Sequence, residues 1–200
     1  MAYSASFTKE KWAEQEIGIV IELMLEGKTR KEVLETVTES NLFQLRSPVS
    51  VKNRFDMVYK RAEMFDDKIK KHFIQASDDD KTALTLYSFL KVYQLPLEFY
   101  YEVLLYKYES NEVLYTNDFF YFFETKASIS ERVDAWRADT IKRLISAMTL
   151  FFREAKILEK MNDREFAIHP IYISNDLKAY AKEHMPLLHS FTTLERGNNE

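Results

Sequence analysis

Asn41-Leu42-Phe43-Gln44-Leu45-Arg46-Ser47-Pro48 ends one helix and starts another. Ser47 can cap the new helix. Pro48 suits its first position, where the missing N–H removes nothing. Beyond it Val51, Phe55, Val58, Ala62 and Phe65 recur at helical spacing and make one buried stripe. At about 100° per residue, Arg54 and Arg61 border that stripe on one side, and Asp56 and Glu63 on the other. Residues 46–71 hold eight Lys/Arg against four Asp/Glu, in a chain of formal net charge −4. A locally basic face on a mildly acidic protein points to a polyanionic partner.

Outward from this stretch, helix signals recur. With three Gly and four Pro in 200 residues, the profile is helix-rich and poor in tight turns. A first helix is expected over 9–26, ended by Gly27. Thr29-x-x-Glu32 forms a capping box for a second, to about residue 39. The third, 48–64, should break near Asp66-Asp67 and resume to residue 75. Ser77-Asp78-Asp79-Asp80 starts another, its carboxylates at the positive end of the helix dipole. Pro96 opens a helix to residue 108; 111–115 is a connection and 117–125 a short aromatic helix. Ser128-x-x-Glu131 reads as a second capping box, followed by a short helix through Trp136 and a longer one over 139–155. The period then changes. Residues 156–160 and 165–172 look extended around a turn at 161–164. Ser174-Asn175-Asp176 caps a last helix to about residue 184. After Pro186 the chain turns polar, and 196–200 should be frayed. The expected fold is all-α, mainly a helical bundle, with a small β-hairpin near 156–172. The expected division is 1–127 and 128–200, or one continuous domain. Helix, helix, hairpin, helix over 128–184 resembles a winged helix-turn-helix with its elements permuted.

Several chemistries are excluded by what the chain lacks. It has no cysteine, so disulfides and thiolate chemistry are out, which fits a reducing compartment. His72, His169, His184 and His189 form no metal-ligand spacing, so no metal is expected. No Gly-rich phosphate loop and no nucleophile elbow occurs. Asp78-Asp79-Asp80 is better explained as a helix start than as a cation site. No cofactor, small-molecule substrate or catalytic residue is expected. The run 17–25 is interrupted by Glu22 and falls short of the roughly 20 apolar residues of a membrane span. The N-terminus lacks the basic and apolar regions of a signal peptide, so a cytoplasmic protein without membrane contact is expected.

The basic elements carry the functional signal. On the helix 139–155, Lys142, Ser146, Thr149 and Arg153 lie opposite the face of Ile141, Leu144, Ile145, Met148 and Phe152, a stripe of donors suited to phosphates or a groove. Residues 126–160 hold eight Lys/Arg against five Asp/Glu. Between the two basic segments, 95–125 carries six carboxylates and only Lys107, with the aromatic runs Phe99-Tyr100-Tyr101 and 119–123. That charge repels phosphate, so these rings suit core packing or a protein partner better than base stacking. Arg54 and Arg61 have two roles open to them: a stem packed on the core with a carboxylate for partner, or a phosphate contact. Lys52 and Lys60 point further into solvent. With Arg46 before the third helix and Arg143 beside Lys142, the candidate DNA contacts are Arg46, Lys52, Arg54, Lys60, Arg61, Lys142, Arg143 and Arg153.

The order Asn-Leu-x-Gln-x-Arg-Ser-Pro at 41–48, the Lys/Arg-bearing helix after it, Trp136, and Thr140-Ile141-Lys142-Arg143-Leu144 resembles the BrxA family of BREX (bacteriophage exclusion) defence systems, over roughly residues 15–180. The resemblance implies a mostly helical protein similar to the antitermination factor NusB. It also implies a non-enzymatic accessory role with double-stranded DNA and other BREX components as partners. The chain departs from the family pattern at Lys52-Asn53, where a more basic pair is usual, which weakens a phosphate site at Asn53. It departs again at Ala155-Lys156, where a glycine often ends the late helix, which bears on the hairpin geometry. The alternatives are a protein–protein adaptor docking through 95–125, and RNA binding by analogy with NusB.

Overall fold

The computed structural model describes residues 3–193. They form two compact units: residues 12–92, and the chain on either side, 3–11 with 93–193. The first comprises α1 (Glu14–Leu25), α2 (Arg30–Glu39), α3 (Pro48–Ala62), α4 (Asp67–Gln75) and α5 (Asp78–Val92). α1 packs on α3 and α4, and α3 also packs on α2 and α5. The stripe Val51, Phe55, Val58, Ala62 and Phe65 is buried throughout. The Phe65 ring lies 5.9 Å from Phe73 and 6.1 Å from Tyr87, closing the core between α4 and α5.

The local signals act as their chemistry requires. Ser47 accepts from the Ser50 N–H at the start of α3, with Pro48 at the first helical position. The Thr29–Glu32 box closes in both directions. Gly27 (φ 82°) ends α1, its own N–H bonding to the Met24 carbonyl and the next N–H, that of Lys28, to the Leu23 carbonyl. One expectation fails here. The first helix begins at Glu14, not near residue 9, because Ala13 takes a left-handed φ of 57° and Ser6–Lys9 forms a separate 3₁₀ turn.

In the second unit α6 (Gln94–Phe99) runs on through a π-helical segment, Tyr100–Leu105, into α7 (Tyr106–Glu109). There follow β1 (Leu114–Tyr115), α8 (Thr116–Ile129), α9 (Glu131–Asp134), α10 (Ala138–Glu154), β2 (Leu158–Lys160), β3 (Glu165–Ile168), α11 (Asn175–His184) and α12 (Pro186–Ser190). The core is aromatic. Phe99 stacks on Phe119 at 4.4 Å and meets Phe122 edge-on at 5.2 Å and Phe152 at 5.9 Å. The 3₁₀ turn Ser6–Lys9 packs on α10, and its Phe7 ring lies 5.6 Å from Tyr93.

The fold is mainly helical with a small antiparallel sheet of order β1-β3-β2. The hairpin pairs Leu158 with Ile168, and β1 adds Leu114 opposite Phe166. β1 arises where a plain connection was expected, since two residues give no alternating signal. The second strand stops before Pro170, which has no N–H for a ladder. The aromatic helix α8 runs past residue 125 to Ile129, and the cap of α9 is Ser130, bonded to the Val133 N–H, rather than Ser128. The expected division at 127/128 falls inside α8, whereas the compact units divide at 92/93. Beyond Pro186 the chain buries Leu187, Leu188 and Phe191 instead of turning polar at once. The frayed end expected at 196–200 lies outside the described residues. Among the described residues, no helix is long and apolar enough to cross a membrane.

Candidate nucleic-acid interface

α10 is strongly two-faced because its apolar residues keep a 3.6-residue period. Leu144, Ile145, Met148, Phe151 and Phe152 are buried, while Lys142, Arg143, Ser146 and Arg153 are exposed on the other side. Thr149 is half-buried between them, and Leu150 is 39% exposed. The Ser146 hydroxyl donates to the Lys142 carbonyl one turn back, at 2.9 Å. Lys142, Arg143 and Arg153 have no ion-pair partner among the described residues. Their charges therefore stand open to solvent.

The hairpin beside α10 is differently arranged. A depression of about 750 Å³ lies between them, lined by Leu150, Arg153, Lys156, Lys160 and His169 with Glu154 and Glu159. Lys160 bonds Asp163 at 2.7 Å and His169 bonds Glu159 at 2.8 Å. Local carboxylates thus balance much of the hairpin's positive charge. Lys156, of the Ala155-Lys156 pair that ends the late helix, holds a φ of 60°. Its N–H bonds the Arg153 carbonyl and the Ile157 N–H bonds the Phe152 carbonyl, so the helix ends as a glycine would end it.

In the first unit the basic residues of α3 divide by partner. Lys52, 62% exposed, donates to Asp56 at 2.7 Å, and Arg30 of α2 donates to the other oxygen of the same carboxylate at 2.7 Å. The Lys52 hydrogen bond, supported by Arg30, holds the Asp56 carboxyl below the usual carboxylate range. Arg30 also lies 5.1 Å over the Tyr59 ring. Lys60 and Arg46 are exposed. Arg54 is half-buried and bonded to Glu16 of α1 at 2.6 Å.

Arg61 corrects an expectation outright. It has no exposed surface. Its guanidinium donates to the Trp12 and Thr85 carbonyls at 2.8 Å each and to the Ser88 hydroxyl at 3.1 Å. It is a core bracket joining α3, α5 and the entry to α1, and phosphate cannot reach it. The structure therefore leaves Lys142, Arg143 and Arg153 exposed and without ion pairs on the outer side of α10, which also carries the exposed Asp139 and Glu154, leaves Arg46, Lys52 and Lys60 on the surface of the other unit, and takes Arg61 inside. Arg30 is the surface cation that sequence reasoning missed. Its place in the first turn of α2 carries no apolar period to mark it.

With this geometry in place, likeness to other proteins can be weighed. The BrxA family model matches residues 1–185. The chain belongs to the BrxA family. A relative from Bacillus cereus (strain H3081.97), "BREX protein BrxA", is 28% identical over 150 residues, covering 74% of this chain and 75% of the relative. BrxA membership thus agrees with the resemblance carried by residues 41–48 and 136–144. A crystal structure of an uncharacterized protein from Magnetospirillum magneticum superposes with a TM-score of 0.80 at 15% identity, over 96% of this chain and 98% of that one. At that identity the likeness speaks for the fold alone.

Proposed function

We propose that this BrxA-family protein is a non-enzymatic accessory component of a BREX phage-defence system. In this reading it works in the cytoplasm and binds double-stranded DNA mainly through the phosphate backbone. The observation that carries the reading is the row of three exposed, unpaired cations on α10. Lys142 and Arg153 are eleven residues apart, which is about 16 Å along the axis at about 1.5 Å per residue. That reach spans a major groove about 12 Å wide. α10 contains neither Asn nor Gln, so paired recognition of adenine edges is absent from it, and its cations serve in this reading as phosphate contacts. Lys52, Lys60 and Arg46 supply further phosphate donors on the other unit.

Titration of duplex DNA at two salt concentrations tests the reading. Three phosphate contacts give a log–log slope of about −2.7, hence a loss of about 40-fold between about 50 and about 200 mM salt. Binding indifferent to salt, or absent at low salt, refutes it. Tighter binding to single-stranded RNA of equal length favours the NusB-like alternative instead.

A further inference from the structure

Five large aromatic side chains stay exposed within a short stretch of the second unit: Tyr101, Tyr106, Tyr115, Phe120 and Tyr121. Tyr106 and Tyr121 keep 62% and 63% of their surface. Single exposed rings are ordinary, but a group of them marks an interaction surface. The π-helical segment helps to gather them. In an α-helix, residues five apart diverge by about 140°. Bonding from i to i+5 lessens that divergence; Tyr101 lies within the segment Tyr100–Leu105 and Tyr106 follows it directly.

Three of these tyrosines have a carboxylate three residues further along the chain. Tyr106 and Glu109, Tyr115 and Asp118, and Tyr121 and Glu124 are each three residues apart, close to one helical turn. The middle pair already holds a cation. The Lys107 ammonium lies 5.6 Å over the Tyr115 ring and 3.2 Å from both Asp118 and Glu112. The same chemistry recurs inside the unit. The Lys126 ammonium lies 5.1 Å over the Phe122 ring, 2.6 Å from Glu98 and 2.7 Å from Glu102. Glu109 and Glu124 have no cation within salt-bridge distance among the described residues. Two of the three ring–carboxylate pairs therefore lack the ammonium that the third contains. Lys107 of α7, bonded to Asp118 of α8, also ties their two helices together.

We infer that this face docks a lysine- or arginine-rich segment of a partner protein, with Tyr106–Glu109 and Tyr121–Glu124 each seating one cationic side chain. The inference goes beyond DNA binding and does not depend on it. Lys107 and Lys126 each sit between two of the six carboxylates of 95–125, and the remaining two, Glu109 and Glu124, leave a net negative surface that favours a basic polypeptide over a nucleic acid. A cation over a tyrosine face, with a carboxylate alongside, gives orientation as well as attraction.

Fluorescence anisotropy with the full chain tests it. The probe is a labelled dodecapeptide alternating arginine and glycine; the control has glutamine in place of arginine. The arginine peptide is expected to bind saturably and the glutamine peptide not to. Tyr106→Ala with Tyr121→Ala should weaken binding about tenfold, although the protein's charge is unchanged. Glu109→Gln with Glu124→Gln, nearly isosteric, should weaken it comparably without altering the fold. Equal binding of the glutamine peptide overturns the inference, because cations then contribute nothing; full affinity in the tyrosine double variant overturns it too, because attraction is then general electrostatics. A concentration-dependent dimer in sedimentation that Tyr106→Ala dissociates also overturns it, in favour of a second copy of the chain.

Discussion

Arg61→Ala should unfold the 12–92 unit more readily and leave DNA affinity unchanged. The magnitude follows from its partners. The Trp12 carbonyl loses a charge-assisted bond of 2.8 Å, and the Thr85 carbonyl loses another but still accepts from the Ser88 hydroxyl at 2.8 Å. A void replaces a large side chain that has no exposed surface. An unsatisfied buried acceptor costs about 1–3 kcal/mol, and the void adds to it at about 24 cal/mol per Å³. The total is about 3–5 kcal/mol, or roughly 6–20 °C in melting temperature for a chain of this size. Arg61→Lys keeps the charge but loses the planar fork, so it should recover only part of the loss. Circular-dichroism melts, with DNA titrations run well below the transition, check both halves. A variant that melts like the parent yet loses DNA affinity would refute the assignment of Arg61 to the core.

Lys142→Glu with Arg153→Glu should weaken DNA binding strongly while changing stability by less than about 0.5 kcal/mol, since both residues are exposed; intact binding in a salt titration rules out α10 as the DNA face. Burial opposes ionisation of Glu98, but hydrogen bonds from Lys126, Gln94 and Tyr3 outweigh it and hold its carboxyl below the ordinary value. Its contribution is therefore full above that value and is lost as pH falls through the folded one. Glu98→Gln should melt below the parent at neutral pH and converge with it as pH falls through the lowered folded value, in melts across the acid range. Lys156→Gly should raise stability by roughly 0.5–1 kcal/mol in urea titrations, because the left-handed backbone there costs a residue with a Cβ more than it costs glycine.

Much of the fold was legible because its signals are local. Ser47-Pro48, Thr29-x-x-Glu32 and Ser174 each satisfy an N–H within their own first turn, so a four-residue window suffices. The stripe from Val51 to Phe65 needs only period 3.6. What failed depends on distant partners or on too few residues. β1 exists because β3 lies beside it. Pro186–Ser190 packs through two adjacent leucines that carry no period. The candidate site split in the same way. The open face of α10 follows from its own periodicity. Arg54 and Arg61 could not be assigned, because their partners Glu16 and Trp12 are 38 and 49 residues away. Two arginines one heptad apart on α3, alike in sequence, meet respectively a carboxylate and a set of carbonyls.

The net charge of −4 is no argument against a DNA face on this chain. At physiological ionic strength the Debye length is about 8 Å. A phosphate at α10 therefore feels Lys142, Arg143 and Arg153, with Asp139 and Glu154 of the same helix, directly, and exposed carboxylates several times that distance away hardly at all. The same screening explains why cations should be counted by partner and not by residue type. Lys52 shares Asp56 with Arg30, so moving it to a phosphate exchanges one anion for another. The α10 cations have no such bond to give up among the described residues. Their contribution to affinity should then be governed by counterion release alone, and that of Lys52 should be reduced by the carboxylate it leaves.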